Sequence, residues 1–253
     1  MRTRAYFVSD LHLTSSEDPR TQTFVRFLRD LHSRAVKGGA ESPTHLFLVG
    51  DIFDLWIGSH DYFVSRFRDV VDSIRVLVRD GIEVHYFEGN HDLHLREFWA
   101  TDVGARVHPD AMNFELAGRI VRVEHGDLIN PDDKGYLFLR RFLRSRSMTT
   151  IALKLPSPLV RAIGEKASRA SRDYTSTAKR LPEDRIRTLI RTHAEKVARE
   201  ENFDMIVTGH VHVRDDHEFE IGTKKIRSVN LGSWFDEAKA LVLDETGARF
   251  APV

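Results

Sequence analysis

Seven side chains in this sequence are of the types that bind divalent metal ions, and their spacing indicates that they act together. They are Asp10, His12, Asp51, Asn90, His125, His210 and His212. Asp10 and His12 are two residues apart, and so are His210 and His212. Side chains at that spacing share one face of an extended chain, so each pair can direct two donor atoms at one point.

The chemistry of these donors narrows the choice of ion. Imidazole nitrogens are combined with carboxylate and amide oxygens, and the chain has no cysteine to supply sulfur. Such a set suits Mn²⁺, Fe²⁺, Co²⁺ or Zn²⁺ better than Cu⁺, and it has more imidazole than Ca²⁺ or Mg²⁺ sites use. Seven donors are too many for one ion that keeps an open position. We therefore expect two divalent ions that share Asp51, with Mn²⁺ as the first choice.

Most of the other histidines have a simpler interpretation. They are His32, His45, His60, His85, His94, His108, His193 and His217. A histidine considered singly is more often part of the core or of the solvated surface than a ligand. We expect these residues to be structural.

Short apolar runs precede most of the predicted ligands and are expected to be buried strands. The runs lie at residues 5–8, 46–49, 84–87, 121–123 and 205–207. Helical patterns, such as the face formed by Phe24, Phe27 and Leu28, lie between runs. This alternation predicts a layered α/β fold, in which residues that follow the strands meet at one edge of the sheet. Residues 226–231 and 240–243 are predicted to be further strands and to form a second sheet.

Composition excludes several classes of protein. The 253 residues include 38 basic and 38 acidic side chains, so overall charge favours no particular partner, and without cysteine there are no disulfides. The apolar run at residues 5–8 is too short for a signal peptide, and no run approaches the roughly 20 residues of a membrane span. We expect a cytoplasmic protein, and we expect no nucleic-acid partner because no long basic groove is evident.

Five ordered blocks of this sequence resemble the calcineurin-like metallophosphoesterases. The blocks are residues 10–12, 50–54, 89–92, 125–127 and 209–212. The resemblance implies one metallophosphoesterase domain over residues 1–253, built as a four-layer αββα sandwich with a helical cap insertion at approximately 135–180.

The same resemblance implies a division of the ligands and a mechanism. One ion would be held by Asp10, His12, Asp51 and His212, and the other by Asp51, Asn90, His125 and His210. A hydroxide that bridges the two ions would attack phosphorus. His91 would act as general acid or as a cationic stabiliser of the leaving oxygen, and Asp92 would orient its ring.

A narrower resemblance concerns the substrate. Residues 50–58, together with 125–127 and 132–136, are similar to the UDP-2,3-diacylglucosamine pyrophosphohydrolases of lipid A synthesis. Those enzymes cleave a pyrophosphate to give UMP and 2,3-diacylglucosamine 1-phosphate. The resemblance implies that Asp133, Tyr136, Arg172 and Lys179 contact the substrate.

The segment at residues 137–172 agrees with a lipid-related function. Nine basic residues and one acidic residue lie between positions 140 and 172, and apolar residues alternate with them. A basic, apolar pair of helices can lie on an anionic membrane or cover an acyl chain. Peripheral attachment to the inner membrane is therefore an expectation. The alternative is a helical insertion with a solvated basic face and no role in lipid binding.

Position 91 leaves a second function open. The lipid A enzymes typically have Arg after the Asn of the third block, whereas this chain has His91, as the broader family does. The alternative is a phosphatase or phosphodiesterase that acts on another lipid-linked or nucleotide phosphoester. A binding scaffold without catalysis would be expected to lack ligands or the histidine, and this sequence has all of them.

Overall fold

The computed structural model describes residues 2–156, 158–160, 162, 182–235 and 237–253. The strands are β1 (Arg4–Val8), β2 (His45–Val49), β3 (Trp56–Ile57), β4 (Glu83–Phe87), β5 (Asp92–Leu93), β6 (Arg106–His108), β7 (Met112–Leu116), β8 (Arg119–Val123), β9 (Met205–Thr208), β10 (Asp215–Ile221), β11 (Lys224–Asn230), β12 (Lys239–Asp244) and β13 (Gly247–Pro252). The helices are α1 (Pro19–Lys37), α2 (Asp61–Arg66), α3 (Arg68–Arg79), α4 (Lys134–Leu143), α5 (Arg146–Lys154) and α6 (Glu183–Glu200), with a π-helix at Arg96–Val103.

Each of the predicted apolar runs is a strand, and together they form the parallel centres of two sheets. The first sheet has six strands in the order β13-β12-β1-β2-β4-β6, with β1, β2, β4 and β6 parallel. The second has five strands in the order β10-β11-β9-β8-β7, with β11, β9 and β8 parallel. A small parallel pair, β3 and β5, connects the turns that follow β2 and β4.

Alternation of side chains along the strands produces the layers. Ala5 and Phe7 of β1 face the second sheet and share a core with its residues, whereas Tyr6 and Val8 pack on the other side with helix α1. On the outer face of the second sheet, α6 packs Ala194 and other residues against the strands. The predicted four-layer αββα sandwich is confirmed. Because both faces of β1 are buried, its run is continuously apolar, as central parallel strands are.

The C-terminal runs join both sheets. β11 pairs with β9 in the five-stranded sheet, while β12 pairs antiparallel with β1 in the six-stranded sheet. The prediction of strands is therefore confirmed, but the two strands do not share one additional sheet. Apolar spacing defines a strand without defining its neighbour, which depends on the pairing partner available in three dimensions.

Helices α4 and α5 occupy the first part of the predicted cap interval. Asp133 caps α4 by accepting the Tyr136 N–H at 2.9 Å. Large apolar side chains of α4 face solvent, with Phe138 73% exposed. Arg172 and Lys179 lie outside the described residues, so the limits of the cap and the extent of the domain stay predictions. Across the part of the chain that the structure describes, we find no helix long and apolar enough to cross a membrane.

Candidate metal centre

The predicted ligands lie in turns beyond the strand ends, and many have an unusual backbone. Five of them have positive φ angles, namely Asp10 (54°), His12 (47°), Asp51 (52°), His210 (71°) and His212 (58°). For residues other than glycine this conformation costs roughly 1–3 kcal/mol each, and it persists only where the surroundings enforce it. Here the turns hold one another, because the Asp10 N–H donates to the Gly50 carbonyl and the His12 N–H to the Asp51 carbonyl.

The first group of donors gathers around Asp10. Its Oδ1 lies 3.3 Å from His212 Nε2 and 4.0 Å from His12 Nε2, and these two nitrogens are 3.1 Å apart. His12 Nε2 is also 3.9 Å from Asp51 Oδ2. The structure thus brings together the four residues predicted to surround one ion.

The second group lies on the other side of Asp51. Asn90 Oδ1 is 3.0 Å from His210 Nδ1 and 3.3 Å from His125 Nε2, and those nitrogens are 3.2 Å apart. His125 Nε2 is 3.6 Å from Asp51 Oδ2. These are the four residues predicted for the other ion.

The Asp51 carboxylate faces both groups. Its Oδ1 accepts the backbone N–H groups of Asn90 and His91, each at 2.9 Å. Its Oδ2 faces His12 on one side and His125 on the other. This orientation is the one that a shared ligand requires.

The donor set fits divalent cations. In each group two imidazole nitrogens face each other at hydrogen-bond distance, as His12 and His212 do. At most one nitrogen of such a pair can donate a proton to the other, whereas a cation between them would accept both lone pairs. The His125 Nδ1–H donates to the Val49 carbonyl at 2.9 Å, and this leaves its Nε2 lone pair toward Asp51.

Burial and the charges of neighbouring ligands shift the pKa values of the side chains in the centre. Burial lowers the pKa of His12 to about 4 and that of His210 to about 4, so both rings are neutral near pH 7. Burial also opposes charge on Asp51 and His125, but their mutual attraction prevails. It lowers the pKa of Asp51 well below its usual value and raises that of His125 to about 10. Without an ion, a proton on His125 Nε2 therefore faces Asp51, and a divalent ion that binds there would displace that proton.

Two glycines allow the turns to approach so closely. A Cβ on Gly89 would lie 2.1 Å from Asp51 Oδ1, and one on Gly209 would lie 2.4 Å from Asp10 Oδ2. Neither distance is compatible with a side chain. The glycines beside Asn90 and His210 are therefore required by packing.

His91 lies at the edge of the centre. Its Nδ1–H donates to the Asp54 carbonyl at 2.8 Å. Its ring meets the His12 ring edge-on at 4.8 Å between centroids. Its donor atom lies within 4.8 Å of those of His12 and Asp51. A buried imidazole in this position can exchange a proton with a group bound at the centre.

Asp92 is placed differently from the prediction. Its carboxylate accepts the N–H groups of Asp51 (3.0 Å), Ile52 (2.9 Å) and Gly89 (2.8 Å) and the hydroxyl of Tyr86 (2.7 Å). It therefore supports the turn that carries the shared carboxylate, rather than the neighbouring imidazole that we expected it to orient. Burial, followed by the charge of Asp51, raises the pKa of Asp92 to about 6.

The predicted substrate contacts are only partly brought to the centre. The Tyr136 ring lies 5.7 Å from the His210 ring, and its hydroxyl donates to Asp127 at 2.9 Å. Asp133 caps α4, as described above. A cavity of about 620 Å³ opens beside His125 and Asp127, with Arg140 in its wall.

Three residues near the centre had no role in the sequence analysis. Tyr86 is hidden inside an apolar strand, and nothing in its spacing marks it as a partner of a carboxylate. Arg144 donates to the carbonyls of Glu88 and Gly89, and its position in the basic stretch was the only sign of it. Phe235 stacks on His12 at 5.4 Å between ring centroids, from a distant turn.

Comparisons with known proteins agree with this geometry. Residues 3–214 match the family model described as calcineurin-like phosphoesterase. The chain is 31% identical over 245 residues to a UDP-2,3-diacylglucosamine hydrolase of Stenotrophomonas maltophilia, with 95% of each chain covered. It is 30% identical to the enzyme of the same name from Neisseria gonorrhoeae (98% and 97% covered) and 28% identical to that from Pseudomonas aeruginosa (97% of each).

The family match covers most of the chain and includes all the turns that carry the donor groups. The relatives named as hydrolases align over nearly their whole length. The chain therefore belongs to the calcineurin-like phosphoesterase family and is a metal-dependent hydrolase.

Proposed function

We propose that the protein hydrolyses the pyrophosphate of UDP-2,3-diacylglucosamine to UMP and 2,3-diacylglucosamine 1-phosphate. The observation that carries this proposal is the placement of α4. The helix begins beside the candidate metal centre, where the Tyr136 ring contacts His210, and continues to exposed apolar residues such as Phe138 and Phe142. A substrate with phosphates at one end and acyl chains at the other matches this arrangement.

Two divalent ions, Mn²⁺ first, would be held by the two donor groups around Asp51. When bound, such ions neutralise phosphoryl oxygens and acidify water for attack on phosphorus. The fit rests on the Asp51 carboxylate, whose Oδ2 faces both His12 and His125.

The chain's own residues would orient the substrate and handle the proton. The Asp54 carbonyl accepts the Nδ1–H of His91, and in its imidazolium form the ring would transfer the Nε2 proton to the leaving phosphate oxygen and become neutral. The cavity beside His125 is lined by carboxylates as well as by Arg140, which pairs with Asp127, so this polar space would take the uncharged uridine of the substrate rather than its phosphates. The exposed apolar residues of α4 would contact the acyl chains or the surface of the inner membrane.

The direct test supplies the purified protein with Mn²⁺ and UDP-2,3-diacylglucosamine and measures UMP by mass spectrometry. We expect UMP from the wild type and none from Asp51→Ala. Asp72→Asn, an exposed substitution on α3, is the matched control and should behave as wild type. A wild type that turns over a generic phosphodiester but yields no UMP contradicts the substrate and leaves the hydrolase intact.

A second pair of variants tests the acyl contact. Phe138 is 73% exposed on α4, and Val36 is 69% exposed on α1. We expect Phe138→Ser to raise KM for the acylated substrate several-fold without changing KM for a generic phosphodiester. Val36→Ser should change neither. Equal KM values for Phe138→Ser and wild type on the acylated substrate would contradict the role of α4.

One observation favours a second candidate function. His91 occupies the position where the resemblance leads us to expect Arg in lipid A enzymes, and an imidazole does not offer a pyrophosphate the fork of donors that a guanidinium has. The second candidate is a phosphatase or phosphodiesterase for another lipid-linked or nucleotide phosphoester. Turnover of such a substrate at a much higher kcat/KM than UDP-2,3-diacylglucosamine would favour it.

A further inference from the structure

A second group of metal-binding side chains lies at the opposite end of the same strands. His45 begins β2, and Glu83 begins β4 directly beside it in the parallel register. His85, two residues after Glu83, lies on the same face of β4. The donor atoms of the three residues are within 4.8 Å of one another, and His85 Nε2 is 3.7 Å from Glu83 Oε2.

His45 can present its Nε2 lone pair to an ion. Thr44 Oγ1 lies 2.8 Å from His45 Nδ1 and also accepts the Arg4 N–H at 2.9 Å. In the tautomer whose Nδ1–H donates to this hydroxyl, the lone pair of His45 is on Nε2.

His85 has the same arrangement. Its Nδ1 is 3.0 Å from His108 Nε2, so one ring nitrogen has a partner. Its Nε2 is buried and has no hydrogen-bond partner among the residues that the structure describes. With Nδ1–H donating to His108, the Nε2 lone pair points toward Glu83. Metal-binding histidines commonly donate the proton of their other nitrogen to such an outer partner.

We propose that His45, Glu83 and His85 form a binding site for a divalent ion of the zinc class, separate from the centre around Asp51. Two imidazole nitrogens and one carboxylate oxygen, with an open position, are a donor set that Zn²⁺ takes in proteins. The five residues of β2 separate the two sites by roughly 15 Å, at about 3.3 Å per residue. His45 and Glu83 are only partly buried, so an ion has access and both side chains can close around it.

Arg106 would compete with the ion for the carboxylate of Glu83. Its Nη1 lies 2.5 Å from Glu83 Oε2, and its side chain is 62% exposed. An exposed pair of this kind is weak and can open to release the carboxylate. The guanidinium therefore reduces the affinity for Zn²⁺ without blocking the site.

The test counts bound ions. The full-length protein is stripped with a chelator, equilibrated with Zn²⁺, separated from free ions and analysed by mass spectrometry for metal per chain. We expect His45→Gln and Glu83→Gln each to bind about one ion fewer than the wild type. His217→Gln, a substitution of a partly buried histidine on β10, should bind as many as the wild type.

A variant that should bind the ion more tightly distinguishes a lost ligand from a misfolded protein, because misfolding would not tighten binding. Arg106→Gln frees Glu83, and we expect it to tighten the same Zn²⁺ ion about two- to fivefold, as the removal of a weak competing ion pair allows. Equal ion counts for the wild type and His45→Gln would overturn the proposal, and so would an unchanged affinity in Arg106→Gln. Neither measurement depends on the substrate, so a failure here is distinguishable from a failure of the proposed function.

Discussion

Strands β2 and β4 carry donor clusters at both ends, and the two ends are built in different ways. At the carboxyl end the ligands come from turns after several strands, and Asp51 has a left-handed backbone. At the amino end His45, Glu83 and His85 lie on the strands themselves, in regular register. The first cluster needs strained turns that support one another, whereas the second needs only two neighbouring strands.

This difference indicates what each end can do. Donors from both sheets converge on the centre, His125 also lines a cavity, and His91 lies beside the donors, where we propose that it transfers a proton. Two adjacent strands create a smaller group that can hold an ion but has no comparable set of partners around it within the described residues. We therefore expect substitutions at the carboxyl end to affect catalysis strongly and those at the amino end to affect a bound ion.

The largest effect is expected from the shared ligand. Asp51→Ala should lower kcat by at least about a thousandfold, because both ions lose a ligand and phosphoryl charge is no longer neutralised. Metal analysis should show both ions of the centre lost, whereas His45→Gln loses one ion elsewhere. Retention of both ions at the carboxyl end in Asp51→Ala would contradict its shared role. Asp72→Asn is the control.

His91 separates catalysis from metal binding within the first cluster. His91→Ala should lower kcat by roughly 10²- to 10⁴-fold, the usual contribution of a positioned acid or base, while the number of bound ions stays unchanged. Kinetics and metal analysis of the same preparation check this. His217→Ala serves as the control for loss of an imidazole. If His91→Ala also loses an ion, His91 is a ligand and the assignment of donors must be revised.

Alanine substitutions at two glycines test how closely the turns around the metal centre are packed. A Cβ on Gly89 would lie 2.5 Å from the Asp51 nitrogen, so Gly89→Ala should destabilise the fold by about 1–3 kcal/mol and weaken metal binding. In Gly135, within α4, the nearest atom to a Cβ would be 3.7 Å away. Gly135→Ala should be neutral or stabilise by up to about 1 kcal/mol. Urea denaturation measures both, and equal free energies of unfolding would contradict the crowding.

The smallest loss of stability is expected from the hydrogen bond between Tyr86 and Asp92, which supports the turn that carries Asp51. Tyr86→Phe removes the hydroxyl that donates to Asp92 at 2.7 Å. Loss of one donor to a buried carboxylate should cost only about 0.5–1.5 kcal/mol of unfolding free energy, because the other three donors remain. Metal affinity should fall only slightly. Tyr62→Phe, on the surface helix α2, is the matched control and should cost less.

Much of the candidate site was evident from the residue types. The seven donors were predicted from their chemistry, their spacing and the strands before them, and the structure brings them into two groups around Asp51. The strands themselves were predictable because continuous apolar runs such as that before Asp51 are required where both faces of a sheet are covered.

Other parts depended on contacts between distant segments. No local pattern connects Asp92 with Tyr86, or His45 with Glu83 and His85, because strand register decides those neighbours. The histidines of the second cluster were therefore interpreted as ordinary structural residues, an interpretation that their geometry leads us to revise.

The amino-acid sequence by itself determined which residues can bind ions, where the buried strands before those residues lie, and that strands alternate with helices, because these depend on side-chain chemistry and on periods of 2 and 3.6 residues. Only the tertiary structure decided which sheet receives β11 and β12, what Asp92 supports, and which donors meet. These outcomes depend on pairing and burial between residues far apart in the chain, as in the contact of Asp10 with the His210 N–H. The local sequence around each residue does not show which distant residue it will contact.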